Sequence, residues 1–290
     1  MWLADKWQDY TILDTSDGEK LELWGKYSLI RPDPQVIWKT EKKNKLWRCA
    51  DASYKRSNKG GGAWNENKLP ESWVINYGDI SFRIKPMGFK HTGLFPEQAV
   101  NWDWFRELIR EAKRPIKVLN LFAYTGGATV AAAKEGASVC HVDASKGMVA
   151  SAKENARLSG LSDAPIRYIV DDCKKFIERE IRRGNKYDAI IMDPPSYGRG
   201  PTGEIWKIEE AIDGFVELCS SVLSDNPLFF LLNSYTTGLS ASTMKYITDT
   251  RLFKKFKGVS EADELGIPVI DSGLALPCGS SVRVKFLKDI

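Results

Sequence analysis

The sequence lacks several features that mark other classes of protein. No run of about 18 apolar residues occurs in its 290 residues, so no segment predicts a membrane-spanning helix. The first ten residues, MWLADKWQDY, have neither the basic nor the apolar region of a signal peptide. With 43% hydrophobic and 28% charged residues, we expect an ordinary globular chain in the cytoplasm.

Cysteine and histidine are both scarce. Two histidines, His91 and His141, leave a metal ion few ligands, and we expect no metal. The cysteines are odd in number, widely spaced and without a CxxC pair, which argues against a disulfide framework and against a zinc site. The five are Cys49, Cys140, Cys173, Cys219 and Cys278.

Positive charge is unevenly distributed in a chain whose net charge is only +4. Between Lys39 and Lys68 nine basic residues stand against three acids, and four aromatic residues are interleaved: Trp38, Trp47, Tyr54 and Trp64. This mixture is typical of surfaces that bind phosphates and stack on bases, which makes Lys55 and Arg56 candidates for contact with RNA. The alternative is a solvated, loop-rich face with the tryptophans packed beneath it.

The chain divides into two differently built parts, because nine of its ten tryptophans precede residue 105. Within residues 10–85, turn signals such as Asp17-Gly18 and a Gly-rich stretch at 60–62 separate short alternating segments: KLELWG, VIWKT, WVINYG and ISFRIKP. We assign residues 1–88 to a small β-rich module with a mobile Gly-rich loop. We expect this module to bind substrate, and we assign residues 89–290 to a second domain.

After Ala99, apolar strand patterns alternate with helical patterns that end at glycine. The strand patterns are KVLNLF, SVCHVD, IRYIVD, YDAIIMD and LFFLLNS. Strict alternation predicts a parallel, doubly wound sheet. A closing hairpin around residues 271–273 would add an antiparallel strand.

In such sheets a ligand binds beyond the carboxyl ends of the strands. The first strand is followed by the glycine-containing segment FAYTGG, and the next three by Asp143, Asp172 and Asp193. Asp143 is spaced to reach a ribose diol, but the G-x-G-x-x-G pattern of dinucleotide sites is absent. Each acid could also be a simple helix N-cap. Together they favour an adenosine-containing ligand.

The stretch IIMDPPSYGRG, at 190–200, has two interpretations. Proline cannot donate to a sheet ladder, so Pro194 and Pro195 could simply end a strand. At a ligand-binding edge, the same residues would instead form part of the site.

Four motifs resemble those of class I S-adenosylmethionine-dependent methyltransferases: NLFAYTGG, CHVDASKGMVASAKENARLSGL, VDDCKKFI and IIMDPPSY. The closer resemblance is to bacterial enzymes that methylate C5 of cytosine in 23S ribosomal RNA, and it includes FKHTGLFPEQAVNWDW and LPCGSSVR. It runs from Phe89 to the C-terminus. It implies a Rossmann-like α/β fold with a seven-stranded, mostly parallel sheet and an antiparallel last strand. It also implies S-adenosylmethionine as the cofactor and RNA, most plausibly ribosomal, as the substrate.

The resemblance implies a role for individual residues. Tyr124, Thr125 and Gly126 would surround the methionine part of the cofactor, Asp143 would bind the ribose, and Asp172 with Cys173 would hold the adenine. The full cofactor set is Phe122, Ala123, Tyr124, Thr125, Gly126, Asp143, Ala144, Asp172, Cys173 and Asp193. The catalytic set is Asp193, Pro194, Pro195 and Tyr197. The weaker substrate set is Thr92, Gln98, Lys55 and Arg56.

One departure from the cytosine-C5 enzymes affects the chemistry. Those enzymes place a nucleophilic cysteine after the fifth strand, where this chain has Asn233-Ser234-Tyr235-Thr236. Cys278 could approach that position, but we favour the interpretation that it is a small, buried apolar residue of the core. We therefore favour methylation of a base nitrogen, or an atypical C-methylation, over the standard C5 route. A protein or small-molecule substrate, and a cofactor-binding module without activity, are the alternatives.

Overall fold

The structure is a computed structural model. It describes residues 1–57, 61–65, 68–88, 90–199, 205–236 and 238–287. The chain forms two units, residues 1–100 with 265–278 and residues 101–264 with 279–290. The assignment of residues 1–88 to a separate substrate-binding module stays a prediction.

The first unit is rich in short strands, as the alternating segments predict. Its elements are β1 (Trp2–Leu3), β2 (Tyr10–Ser16), β3 (Glu19–Trp24), β4 (Tyr27–Pro32), α1 (Leu46–Cys49), β5 (Ala52–Arg56), β6 (Gly62–Asn65), β7 (Trp73–Tyr77) and β8 (Ile80–Ile84). Strands β2 to β6 form one sheet in chain order, and β7 pairs with β8 in a separate hairpin. Asp17 and Gly18 both have positive φ, as a two-residue turn between β2 and β3 requires.

One predicted strand segment of this unit is wrong. The segment VIWKT, residues 36–40, has no strand structure. Its carbonyl groups serve the β2–β3 turn instead, because Asp17 N donates to Trp38 O and Gly18 N donates to Val36 O. The predicted mobile Gly-rich loop falls partly on residues 58–60, which lie outside the described residues.

The second part of the chain alternates helices and strands. After a short 3-10 helix at Pro96–Gln98, its elements are α2 (Ala99–Glu111), β9 (Lys117–Leu121), α3 (Gly127–Lys134), β10 (Ser138–Asp143), α4 (Lys146–Leu158), β11 (Ile166–Val170), α5 (Cys173–Arg182), β12 (Ala189–Met192), β13 (Tyr197–Arg199), β14 (Ile205–Lys207), α6 (Ile208–Ser220), β15 (Phe229–Ser234), α7 (Ala241–Leu252), β16 (Gly258–Pro268) and β17 (Ala275–Phe286). Gly136, Gly160 and Gly184 follow the ends of α3, α4 and α5 with positive φ, which explains why the predicted helix ends are confirmed.

The strands of the second unit form the predicted sheet, in the order β16-β17-β15-β12-β9-β10-β11. Strands β15, β12, β9, β10 and β11 are parallel, and β17 runs antiparallel to β15. The predicted α/β fold is therefore confirmed. Within the first unit, β1 adds a short parallel strand at residues 265–266 of β16, which the sequence did not predict.

The centre of the sheet explains its continuous apolar strands. Every residue of β12 and of β15 is buried, because helices cover both faces of a parallel sheet. On one face the helices α5, α6 and α7 contribute Phe176, Phe215 and Met244 to the core. Among the described helices, none combines the length and the apolar character needed to cross a membrane.

A buried ion pair organises the core of the first unit. The Glu22 carboxylate accepts hydrogen bonds from Arg31 Nε at 2.6 Å, from Arg31 Nη2 at 2.8 Å and from the Tyr10 hydroxyl at 2.6 Å. Burial alone would raise the pKa of Glu22, but the Arg31 and Lys20 charges outweigh burial and hold the pKa at about 2.

We expect Glu22→Gln to lower the free energy of unfolding by about 3–5 kcal/mol, because it leaves the Arg31 charge buried without its partner. Glu71→Gln removes an exposed ion pair with Lys85 and is the matched control, which we expect to change little. The pair's contribution is complete above the ordinary Glu pKa of 4.5 and is lost as the pH falls toward 2. Urea denaturation at several pH values measures both effects, and equal losses in the two variants would contradict this account.

Candidate functional site

The loop after β9 holds an unusual backbone conformation. Phe122 and Tyr124 have φ values of +53° and +50°, a region that non-glycine residues occupy only at an energetic cost. Gly126 follows with φ +82°, and a Cβ there would lie 2.8 Å from the Cβ of Ala152 in α4. The loop therefore needs glycine at 126 and needs external contacts to keep its other residues in place.

Asp143 supplies the main contact from the end of β10. Its Oδ2 accepts from Tyr124 N at 2.8 Å, and its Oδ1 accepts from Ser145 N at 2.8 Å. Burial raises the pKa of this half-buried carboxyl, and the two backbone hydrogen bonds lower it in part. Each oxygen keeps a further lone pair, so the carboxylate can also accept hydrogen bonds from a ligand.

A polar layer supports the same loop from below. Asn155 of α4 donates to Thr125 O at 2.8 Å. Asn120 donates to Thr129 Oγ1, which lies 2.9 Å from Nδ1 of the buried His141. Burial lowers the pKa of His141 to about 4, so this imidazole is neutral at physiological pH. Its role is to support the fold beneath the loop.

The two aspartates after β11 both interact with other residues of the fold. Asp172 is the N-cap of α5 and accepts from Lys175 N at 2.9 Å, while Asp171 forms an ion pair with Arg179. Cys173 is buried, and its Sγ accepts from Phe122 N at 3.3 Å. Burial raises the pKa of this thiol well above its usual range. The N-cap interpretation thus accounts for one oxygen of Asp172, and the Cys173 side chain faces the core.

Asp193 follows β12 in a different environment. Burial raises the pKa of Asp193 to about 7, and among the described residues no donor lies within hydrogen-bonding distance of its carboxylate. Pro194 is buried, Pro195 is exposed, and half of the Tyr197 side chain is exposed. The strand end thus presents one carboxyl group without a partner beside an accessible aromatic ring.

Trp206 connects this segment to the loop after β9. Its Nε1 donates to Pro195 O at 2.6 Å, and its ring packs on Phe122 and Phe215 at centroid distances of 5.4 and 5.5 Å. Trp206 was not among the residues predicted from the sequence. The available signal was its position, because Trp206 is the one tryptophan that follows residue 105.

The end of β15 carries polar groups that the fold already uses. Asn233 accepts from Asn101 Nδ2 at 3.1 Å and from the Ser281 hydroxyl at 2.6 Å, and Arg283 Nε donates to Asn101 Oδ1 at 2.9 Å. All four side chains are buried. The next residues reach the segment after β12, since the Thr236 hydroxyl donates to Ser196 Oγ at 2.7 Å.

Cys278 belongs to the first unit and is buried there, with its thiol donating to Leu276 O at 3.3 Å. Burial raises the pKa of Cys278 well above its usual range, so its thiolate is not available near neutral pH.

The remaining predicted residues differ in exposure. Ala144 is exposed after β10, whereas Ala123 is buried in the loop after β9. In the first unit Lys55 and Arg56 are exposed, but Thr92 and Gln98 are buried. Thr92 accepts from Arg31 Nη1 at 3.3 Å, which gives it a structural role. Val170, half exposed at the end of β11, is an apolar surface beside the acids that no sequence signal indicated.

The described residues contain no candidate metal site, because no three of their His, Cys, Asp or Glu side chains come close enough together to hold an ion.

Comparison with known proteins decides the family. The family described as S-adenosylmethionine-dependent methyltransferase matches residues 31–207, more than half of the 290 residues. The chain belongs to the S-adenosylmethionine-dependent methyltransferases. The predicted family, enzyme class and cofactor are confirmed.

Solved and curated relatives agree with this assignment. The crystal structure of a SAM-dependent methyltransferase from Agrobacterium tumefaciens is 37% identical, with a TM-score of 0.91 over 98% of this chain and 93% of that chain. A ribosomal RNA large subunit methyltransferase K/L from a Shewanella species is 30% identical over 214 residues, 71% of this chain and 27% of that protein. The corresponding Shewanella frigidimarina protein is 37% identical over 145 residues, 48% of this chain and 20% of that protein. The chain thus spans about a quarter of these curated relatives.

Trp206→Phe keeps an aromatic ring against Phe122 but removes the N–H that fixes the Pro195 carbonyl. We expect kcat for methyl transfer to fall about 3- to 10-fold, the effect of one lost hydrogen bond, with cofactor affinity nearly unchanged. Trp206→Ala removes the packing as well and should weaken cofactor binding. Steady-state kinetics and calorimetry separate the two effects, and a Trp206→Phe variant with wild-type kcat would exclude a positioning role.

Proposed function

We propose that this enzyme transfers a methyl group to a nitrogen atom of a base in RNA, with ribosomal RNA as the substrate. The observation that carries this proposal is the carboxyl group of Asp193, which has no partner among the described residues and ends the strand beside the cofactor loop. The names of the curated relatives support ribosomal RNA, although each relative is much longer than this chain. With this substrate we propose a cytoplasmic location.

The strand ends fit the cofactor. Gly126 leaves room at the loop, and Asp143 offers one free lone pair on each oxygen to a ribose diol. We assign the methionine part to Phe122 through Gly126, and the ribose to Asp143 with Ala144. The adenine is assigned to Asp172, through its second oxygen, and to the main chain of Cys173.

Asp193 and the two prolines form the target clamp of the proposal. S-adenosylmethionine supplies an electrophilic methyl group. The Asp193 carboxylate accepts a hydrogen bond from the base amine and orients it, because methyl transfer requires an in-line approach. As the nitrogen becomes positively charged, a carboxyl group with a pKa near 7 is suited to take up its proton.

The half-exposed ring of Tyr197 is suited to stack on the base. A base in a paired region must leave its stack before it can reach such a site, and an aromatic side chain replaces part of the lost stacking. The absence of a cysteine at residues 233–236 favours a nitrogen acceptor, since attack by cytosine C5 needs prior addition of a thiolate.

Asp143→Asn keeps the shape of the side chain and removes its charge. We expect cofactor affinity to fall by about 10- to 100-fold, the value of a hydrogen bond to a charged group. The matched control is Asp163→Asn, an exposed aspartate in the turn before β11, which should leave the affinity unchanged. Calorimetry measures both variants, and equal affinities would refute the assignment of Asp143 to the ribose.

The substrate class is tested by labelling. Extract from cells that lack the protein, supplied with the purified enzyme and tritiated S-adenosylmethionine, should yield label in ribosomal RNA, in a nucleoside methylated on nitrogen. Label in protein or in small molecules instead would overturn the RNA proposal. Label in 5-methylcytidine would overturn the nitrogen acceptor.

Asp193→Asn tests the clamp within the same assay. With the wild-type enzyme, the rate should rise with pH through about 7, because the carboxylate is the active form and protonation removes the acceptor. The variant should bind cofactor normally, lose most of its activity and lose this pH dependence. An unchanged pH profile in the variant would exclude Asp193 as the titrating group.

A further inference from the structure

The basic residues of the first unit fall into two groups. Six cations in and around the basic stretch from Lys39 to Lys68 have carboxylate partners, whereas Lys45, Arg48, Lys55 and Arg56 have none within 4.0 Å among the described residues. The ion pairs are Lys39 with Asp17, Lys42 with Glu19, Lys43 with Glu41, Lys20 with Asp33, Arg31 with Glu22 and Lys85 with Glu71. Three of the nine basic residues that stand out in the sequence, Lys39, Lys42 and Lys43, are therefore balanced locally.

Arg56 and Lys90 belong to the second group. Within the described residues, neither has a carboxylate oxygen within 4.0 Å of its charged nitrogens. Arg56 is exposed at the end of β5, and Lys90 is half-buried with its Nζ donating to Pro32 O at 3.4 Å. Burial lowers the pKa of Lys90 to about 8, Asp33 opposes this effect, and the charges of Lys20, Arg56 and Arg31 lower the pKa further.

Side chains from three strands hold the segment that carries Lys90. Arg31 Nη1 of β4 donates to Lys90 O at 3.0 Å, the Tyr54 hydroxyl of β5 donates to Gly88 O at 3.3 Å, and Trp64 Nε1 of β6 donates to Met87 O at 2.8 Å. The segment that carries Lys90 is thus fixed against the sheet.

The alternation of side chains along β5 separates Arg56 from Lys55. Arg56 lies on the same face as Tyr54, two residues before it, whereas Lys55 points to the opposite face. In the antiparallel pair with β6, Tyr54 is opposite Trp64 and Arg56 is opposite Gly62. The face around Arg56 therefore includes the rings of Tyr54 and Trp64, which pack edge to face at 5.4 Å.

Two neighbouring cations without counterions call for a ligand with closely spaced negative charges. Each phosphodiester of RNA carries one charge, and successive phosphates present these charges at regular short intervals. A half-buried ammonium with a single carbonyl partner keeps donors for phosphate oxygens, and a planar guanidinium matches a phosphate with two parallel hydrogen bonds.

We propose that Arg56 and Lys90 bind neighbouring phosphates of the RNA backbone and make this face of the first unit an anchoring surface for the substrate. The inference rests on the proposed RNA substrate and names the residues of this unit that contact it. Within the basic stretch from Lys39 to Lys68, it retains Arg56 as a candidate, whereas Lys39, Lys42 and Lys43 are engaged in ion pairs.

The test measures the salt dependence of RNA binding. Fluorescence anisotropy with a labelled fragment of 23S ribosomal RNA, between about 50 and 200 mM salt, gives the slope of log K against log salt concentration. Arg56→Gln and Lys90→Gln should each reduce the magnitude of this slope by about 0.7 to 0.9, the value for one phosphate contact. Lys43→Gln, which removes a paired cation, is the matched control and should leave the slope unchanged.

The outcomes separate this inference from the proposed function. If RNA is methylated but the Arg56 and Lys90 variants keep the wild-type slope, or Lys43→Gln reduces it equally, the anchoring surface is wrong and the proposed function stands. If the wild-type protein has no affinity for the RNA at low salt and labels protein instead, both proposals fail. Unchanged cofactor affinity in all three variants shows that they are folded.

Discussion

The carboxylate of Asp143 joins the two strand ends on which the candidate site depends. One oxygen holds the backbone N–H of Tyr124, a residue in the left-handed region, and the other holds the start of the segment that leads into α4. Without an acceptor at this point, the loop after β9 would relax toward ordinary backbone angles. The same carboxylate that stabilises the loop is the group assigned to the ribose, so under the proposed assignment folding and cofactor binding depend on one side chain.

Much of the second unit could be predicted from the sequence because local residue patterns determine its strands and helices. Continuous apolar runs such as Ile190–Met192 predict strands buried on both faces, and glycines after α3, α4 and α5 predict where helices end. The acids at strand ends follow from the same periodicity. The sequence could not show how many carboxylate oxygens of each aspartate accept hydrogen bonds within the fold. Asp172 caps a helix with one oxygen, whereas Asp193 receives no such bond within the described residues.

The first unit was harder to predict because its interactions are non-local. The segment VIWKT alternates like a strand, but its carbonyls bond to a turn about 20 residues earlier in the chain. The charge pattern was equally misleading, since Lys42 forms an ion pair with Glu19 of β3, 23 residues earlier in the chain. No sequence pattern predicted a role for Lys90. Contacts from Arg31, Tyr54 and Trp64 bring the segment that carries it beside β5. Pairing across strands sets which charges stay available.

The chemistry of the acceptor follows from what each strand end can offer. Beyond β15, the Asn233 side chain belongs to a buried hydrogen-bond network, and the Thr236 hydroxyl donates to Ser196 Oγ. These side chains therefore stabilise the fold and the segment that follows β12. Beyond β12, Trp206 Nε1 donates a hydrogen bond to the Pro195 carbonyl oxygen. The carboxyl group of Asp193 accepts no hydrogen bond from the described residues and is therefore available to a ligand. A site that offers an oxygen acceptor but no thiolate can orient and deprotonate an amine, but it cannot activate a pyrimidine ring by addition. The polar groups therefore support the proposed nitrogen acceptor.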